Sequence, residues 1–110
     1  MLELVARRFR ALGEMQRLRI IQVLEQGEKS VGEIVAAAAG SQSNISRHLQ
    51  ALYDAGLVSR RRDGNSVLYE IADPIVLELC ALVCKRTEKH IMQRLPNVAL
   101  QTRSSLKARQ

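Results

Sequence analysis

A chain of 110 residues has the length of one domain, and 46% apolar with 25% charged residues makes it globular, excluding a disordered polymer or a coiled-coil rod. Seventeen Lys and Arg against eleven Asp and Glu leave a net charge of +6, which directs attention to a polyanionic partner. The aromatics are only Phe9, Tyr53 and Tyr69, too few to tile a platform for unstacked bases, so the nucleic acid to consider is a duplex.

In chain order, the spacing predicts a helix over 2–12 with Leu2, Val5 and Phe9 near one face, interrupted by Gly13. A second helix over about 15–26 turns Leu18, Ile21 and Leu24 inward, with Gly27 as its C-cap. Ser30-Val-Gly-Glu33 is a capping box that opens a short helix with Val31, Ile34, Val35 and Ala38 on one face. Ala39 and Gly40 end it. Ser41 caps the next helix, whose Ile45, Leu49, Leu52 and Tyr53 point inward and which Gly56 closes in a left-handed conformation.

Beyond Gly56 the apolar period changes from 3.6 to 2. Residues 57–60 and 67–71 read as strands flanking 61–65, with Asp63 and Gly64 as the hairpin turn signal. Asp73 and Pro74 start a last helix that runs to about Leu95, where Pro96 disfavours continuation. The fold class is therefore mainly α with a small β-hairpin wing, a winged helix-turn-helix. Residues 1–95 are expected to form one domain, and 96–110 a basic, flexible tail.

The second helix of the helix-turn-helix presents Gln42, Ser43, Ser46, Arg47 and Gln50 opposite its apolar residues, with Asn44 close to this set. Arg47 can fork onto guanine O6 and N7, and Gln42 or Gln50 onto adenine N6 and N7. Ser41, Ser43 and the amides at the helix start can hold phosphate oxygens. Thirteen of the seventeen cations are Arg, the others being Lys29, Lys85, Lys89 and Lys107, and the planar Arg fork suits both kinds of contact. On the hairpin, Arg60, Arg61 and Arg62 lead to a tip at Asn65; strand alternation places Arg60 and Arg62 on one side and Arg61 on the other.

These residues resemble a known family. Phe9-Arg-Ala-Leu-Gly13, Arg17-Leu-Arg-Ile-Ile21, Ser30-Val-Gly-Glu-Ile34, Ser41-Gln-Ser-Asn-Ile-Ser-Arg-His-Leu49, Leu52, Ala55-Gly-Leu-Val58 and Arg61-Arg-Asp-Gly64 look like the ArsR/SmtB metalloregulator family, over about residues 5–75. The resemblance implies a homodimeric winged-helix repressor that binds an imperfect palindrome and leaves it when an inducer binds. It also places His48 on the reading helix, where two roles are open: a direct contact, or packing and hydrogen bonding beside the DNA-facing surface.

Two metal sites come with that resemblance, and both lack ligands here. Counted from Asp73, the last-helix site falls on Ile75, Arg86 and Lys89, none a metal ligand in its ordinary state; the helix before recognition offers Ser30-Val-Gly-Glu33 and no thiol. Cys80 and Cys84 remain, four apart on the last helix in a stripe with Leu77 and Ile91. No cofactor is required, but these thiolates can take a soft metal or metalloid ion, or react with oxidants or reactive sulfur species; the alternative is two small core hydrophobes. Glu88 and His90 can complete such a site or simply pack.

The last helix is too apolar for one chain to cover. A homodimer built from it and the N-terminal helix would bury Leu2, Val5, Phe9, Leu77, Cys80, Cys84 and Ile91. The longest uncharged stretch, 34–46, is 13 residues, short of the roughly 18 that cross a membrane, and the first ten residues lack a signal-peptide core. The expectation is a cytoplasmic, nucleoid-associated protein with reduced thiols. Phosphate-loop and nucleophile motifs are missing, so an enzyme is not expected. Two further alternatives are a winged-helix assembly module that does not read DNA, and a constitutive DNA-binding regulator with purely structural cysteines.

Overall fold

The computed structural model describes residues 1–94, which hold five helices and three strands: α1 (Leu2–Leu12), α2 (Met15–Leu24), β1 (Lys29–Ser30), α3 (Val31–Ala38), α4 (Gln42–Asp54), β2 (Val58–Asp63), β3 (Ser66–Ile71) and α5 (Ile75–Arg94). They divide into two compact units, Met1–Val76 and a second that begins at Leu77 within α5. The expected tail over 96–110 lies outside the described residues. Among the described residues no helix is long and apolar enough to cross a membrane.

The first unit is organised around fully buried aliphatics. Ile20, Ile21, Ile34, Ile45, Leu49 and Leu52 bring α2, α3 and α4 together, and Leu57, Val58, Tyr69 and Val76 close the core from the strands and the start of α5. Ile21 and Leu24 are buried as expected, but Ile20, not Leu18, joins them; Leu18 stays 39% exposed, because the inward face of α2 packs against α3 and α4 and is turned by about 50° from the expected stripe. Helix α2 also stops at Leu24, two residues short of expectation, and Gly27 sits in the following loop at φ +124°.

The caps follow the sequence closely. Ser30 accepts from the Glu33 amide at 3.2 Å while the Glu33 carboxylate accepts from the Ser30 amide at 2.9 Å. At the start of α4, Ser41 accepts from the Asn44 amide. At its end Leu57 N–H reaches Leu52 C=O and Gly56 N–H reaches Tyr53 C=O, the paired bonds of a Schellman motif with Gly56 at φ +76°. Asp73 accepts from the Ile75 amide and so opens α5.

A third strand was not expected. Lys29 and Ser30 pair antiparallel with Tyr69 and Leu68, giving a sheet of order β1-β3-β2. Two residues are too short to show a period of 2, which is why β1 is invisible in the pattern. The hairpin is longer and tighter than expected: Arg61, Arg62 and Asp63 continue β2, and Asp63 pairs with Ser66 across a two-residue loop. Gly64 alone in that loop has positive φ, consistent with a type II′ turn.

The turn between α3 and α4 controls how α4 is presented. Ala39 takes the left-handed conformation at φ 55°, and the Gln16 side-chain amide donates to Ala38 C=O at 3.0 Å. A Cβ on Gly40 would lie 2.9 Å from that amide and 3.0 Å from the buried Ile45 side chain. Gly40→Ala is therefore expected to lower unfolding free energy by about 1–3 kcal/mol through overpacking. Gly32→Ala, on the exposed surface of α3 with its nearest neighbour 3.9 Å away, should raise it by about 0.5 kcal/mol. Urea denaturation of the two variants checks the contrast.

Candidate nucleic-acid interface

Helix α4 presents two faces. Ile45, Leu49 and Leu52 are buried, and Gln42, Ser43, Asn44, Ser46, Arg47 and Gln50 are exposed with Ser41 before them. At 100° per residue, Ser43, Ser46, Arg47 and Gln50 fall in one sector opposite the buried row, while Asn44 lies on a flank. The capped N-terminus adds amides and the positive end of the helix dipole at the same end.

His48 does not share that surface. Its side chain is on the flank of α4 toward α2, only 4% exposed, and its Nδ1 accepts from Arg17 Nε at 3.1 Å. Of the two roles open to it, packing and hydrogen bonding is the one the fold provides, and the burial that prevents direct contact is the physical reason. Accepting at Nδ1 requires a neutral ring with its proton at Nε2. Burial pushes the imidazole below its ordinary 6.5, the positive charges of Arg47 and Arg17 push the same way, and Glu14 opposes them.

The wing arginines divide as the alternation requires. Arg60 turns toward α4, its guanidinium 3.9 Å from the Tyr53 ring centroid and its Nη1 donating to Gln50 Oε1 at 3.0 Å. Gln50 in turn donates to Asp54 Oδ1 at 2.8 Å. Tyr53 is thus 39% exposed and serves as a stacking surface, not the inward residue its spacing suggested. A hydrogen bond with the Tyr69 side chain holds the Arg60 guanidinium above its ordinary value.

Arg61 points to the other side and forks onto Glu28, with Nε to Oε2 and Nη2 to Oε1 both at 2.8 Å. That pairing lowers the Glu28 carboxyl and raises Arg61. Glu33 is lowered as well, chiefly by the Ser30 backbone amide. Arg62 and Asn65 stand exposed at the hairpin end. Sequence reasoning missed Glu28 and Tyr53 as organisers of the wing; the signal for Tyr53 was its place at the edge of the apolar stripe of α4, and Glu28 offered none.

Cys80 and Cys84 are both half-buried thiols on α5. Among the described residues no group of three or more His, Cys, Asp or Glu is arranged to hold a metal ion.

Comparison with known proteins decides the family. Residues 15–60 match the signature described as a bacterial regulatory protein of the arsR family. A probable mercury resistance operon repressor of Streptomyces lividans is 44% identical over 77 residues, a stretch that is 70% of this chain and 62% of that protein. The crystal structure of Mycobacterium tuberculosis Rv0081 superposes with a TM-score of 0.77 at 36% identity, covering 84% of this chain and 94% of that one. The homodimeric winged helix-turn-helix DNA-binding domain of Mb0332 from Mycobacterium bovis, titled a possible ArsR-family regulator, gives 0.76 at 38%, covering 86% and 87%.

The chain belongs to the ArsR family. It is a transcriptional regulator with a winged helix-turn-helix DNA-binding domain, in a family that is not enzymatic. Within this ArsR domain α4 is the recognition helix, and β2 with β3 makes the wing.

The His48 contact ties stability of the ArsR domain to pH. Because the folded-state value is depressed, the unfolded chain binds a proton below about pH 6.5 that the folded chain resists. The His48 contribution is present above 6.5 and is lost as pH falls through the lowered folded value. Denaturation midpoints measured at pH 7.5, 6.5 and 5.5 should fall with acidification in the wild type, and fall less in His48→Gln.

Proposed function

We propose that this chain is a cytoplasmic, nucleoid-associated homodimeric repressor that reads an imperfect palindrome in duplex DNA and is released through thiol chemistry on α5. The observation that carries the DNA reading is the exposed row Ser43, Ser46 and Arg47, with exposed Gln42 in the first turn, on a capped helix whose other face is fully buried. Arg47 reads guanine, Gln42 adenine, and Ser41, Ser43 and the helix amides take phosphate, with Asn44 and Ser46 beside them. Residues 1–95 carry this work.

On the wing, Arg62 and Asn65 are the contacts to the adjacent backbone. Arg60 acts by holding Gln50, and Arg61 by fixing the hairpin to Glu28.

Dimerisation is supported by the apolar side of α1, where Leu2 is 81%, Phe9 59% and Val5 39% exposed. On α5, Leu77, Cys80, Cys84 and Ile91 supply the other half, and Leu82 and Val83 add exposed apolar surface. Two copies would set their recognition helices about 34–36 Å apart, one turn of duplex.

For the inducer, Cys80 and Cys84 give two soft ligands one turn apart, short of the four that a structural zinc site takes and suited to soft ions or to oxidants and reactive sulfur. The mercury-resistance relative is in keeping with this chemistry. Release requires the inducer to favour a dimer whose recognition helices are wrongly spaced.

Binding to a palindromic duplex across a salt series tests the reading. Arg47→Ala should weaken specific binding by about 1–3 kcal/mol, roughly 5–150-fold, and relax preference at one base pair. Arg62→Ala should reduce the salt slope by about 1, whereas Arg61→Ala should barely change it. The Cys80→Ser, Cys84→Ser double variant should bind the duplex as the wild type does but stay bound when Hg(II), Cu(I) or peroxide is added. Identical release of both proteins by every agent defeats the thiol step and leaves the repressor.

A further inference from the structure

The first unit contains a basic cleft apart from the exposed Ser43, Ser46 and Arg47 face of α4 and from the wing. It has a volume of about 250 Å³ and lies where α1, α2 and α4 meet. Arg7, Arg10 and Arg17 line it, Ala11, Ala51 and Ala55 form walls too small to fill it, and Asp54 is its single acid. Three guanidiniums against one carboxylate leave two positive charges in excess, and the Asp54 carboxylate already takes a hydrogen bond from Gln50.

The arginines themselves are under-engaged. Arg7 and Arg10 stand three apart on one flank of α1, an arrangement of like charges that costs helix stability when nothing neutralises it. Among the described residues no ion pair holds either one. Both lie off the apolar Leu2, Val5, Phe9 stripe, at 100° per residue, so a dimer formed through that stripe leaves them accessible.

Arg17 commits its Nε to His48, but its other nitrogens make only long contacts, 3.5 Å to Ala11 C=O and 3.9 Å to Glu14. A charge-assisted bond to an oxyanion closes to about 2.7–2.9 Å, so a ligand oxygen would outcompete both.

We propose that Arg7, Arg10 and Arg17 form a binding site for a phosphate-class oxyanion. The planar guanidinium fork matches the tetrahedral oxygens of such a group, and three forks from two helices surround it. Occupancy joins α1 to α2 and, through the Arg17 bond to His48, to the recognition helix. The oxyanion comes from one of two sources. It is either a free phosphate or phosphate ester acting as an effector, or a backbone phosphate of duplex flanking the site that α4 reads; only the second rests on the DNA reading.

The experiment uses the full chain, with inorganic phosphate as probe against chloride at equal ionic strength, and the exposed variants Arg7→Gln and Arg10→Gln. Thermal unfolding and amide chemical shifts of Ala51, Asp54 and Ala55 report on the cleft. In phosphate-free buffer, relief of the like-charge pair should raise the melting temperature of both variants, which separates a folding defect from a binding one.

With a free ligand, phosphate raises the wild-type melting temperature saturably and shifts those amides, and each variant binds about tenfold more weakly. With a backbone phosphate, inorganic phosphate has little effect, but each variant lowers the slope of log affinity against log salt for duplex by about 0.9. Phosphate and duplex binding unchanged in both variants overturns the site. A wild type that binds no duplex but still titrates with phosphate removes the DNA reading and keeps the cleft.

Discussion

The turn at Ala39 and Gly40 is the constraint on which the rest of the first unit depends. Helix α4 can bury Ile45 against α2 and α3 only because Gly40 has no side chain where the Gln16 amide and Ile45 close in. Gln16 then closes the last carbonyl of α3, so the turn carries no unsatisfied backbone acceptor at Ala38. With the turn fixed, the rotation of α4 about its axis follows from burying Ile45, Leu49 and Leu52. The same rotation turns Ser43, Ser46 and Arg47 outward. Presentation of the reading surface is thus a by-product of core packing, which makes it rigid before any DNA arrives.

Charge is divided between two jobs on this scaffold. Arg17, Arg60 and Arg61 are held by His48, by Gln50 with Tyr53, and by Glu28, and each joins two segments distant in sequence. Arg47 and Arg62 are exposed and make no ion pair among the described residues. A net charge of +6 alone does not separate these groups. What separates them is whether an acceptor lies within reach after folding, and that depends on contacts 10 to 33 residues apart in the chain.

That distance sets the limit of what the sequence discloses. The capping box at Ser30, the Ser41 cap, the Schellman closure at Gly56 and the Asp63-Gly64 hairpin involve residues at most five apart, so their chemistry is written in local order and was legible. The buried row of α4 was legible from period alone. His48 was not, because a histidine on the boundary between faces can go either way until Arg17 is known to lie beside it. Nor were β1, the rotation of α2 that puts Ile20 inward, or Tyr53 as the platform for Arg60, since each is decided by a partner from another segment.

The Gln50 network shows how such long-range contacts reshape a recognition surface. A glutamine reads adenine with its amide nitrogen and oxygen together. Here the nitrogen is given to Asp54 and the oxygen to Arg60, so both ends are occupied before DNA is met. Using Gln50 on a base would break two hydrogen bonds and release Arg60 from the helix, loosening the wing where it meets α4. Gln50 therefore serves the interface better as the joint between recognition helix and wing than as a reader. On the proposed reading, direct discrimination then falls to Arg47 and Gln42 toward the N-terminal end of α4, where the helix amides are placed to take phosphates.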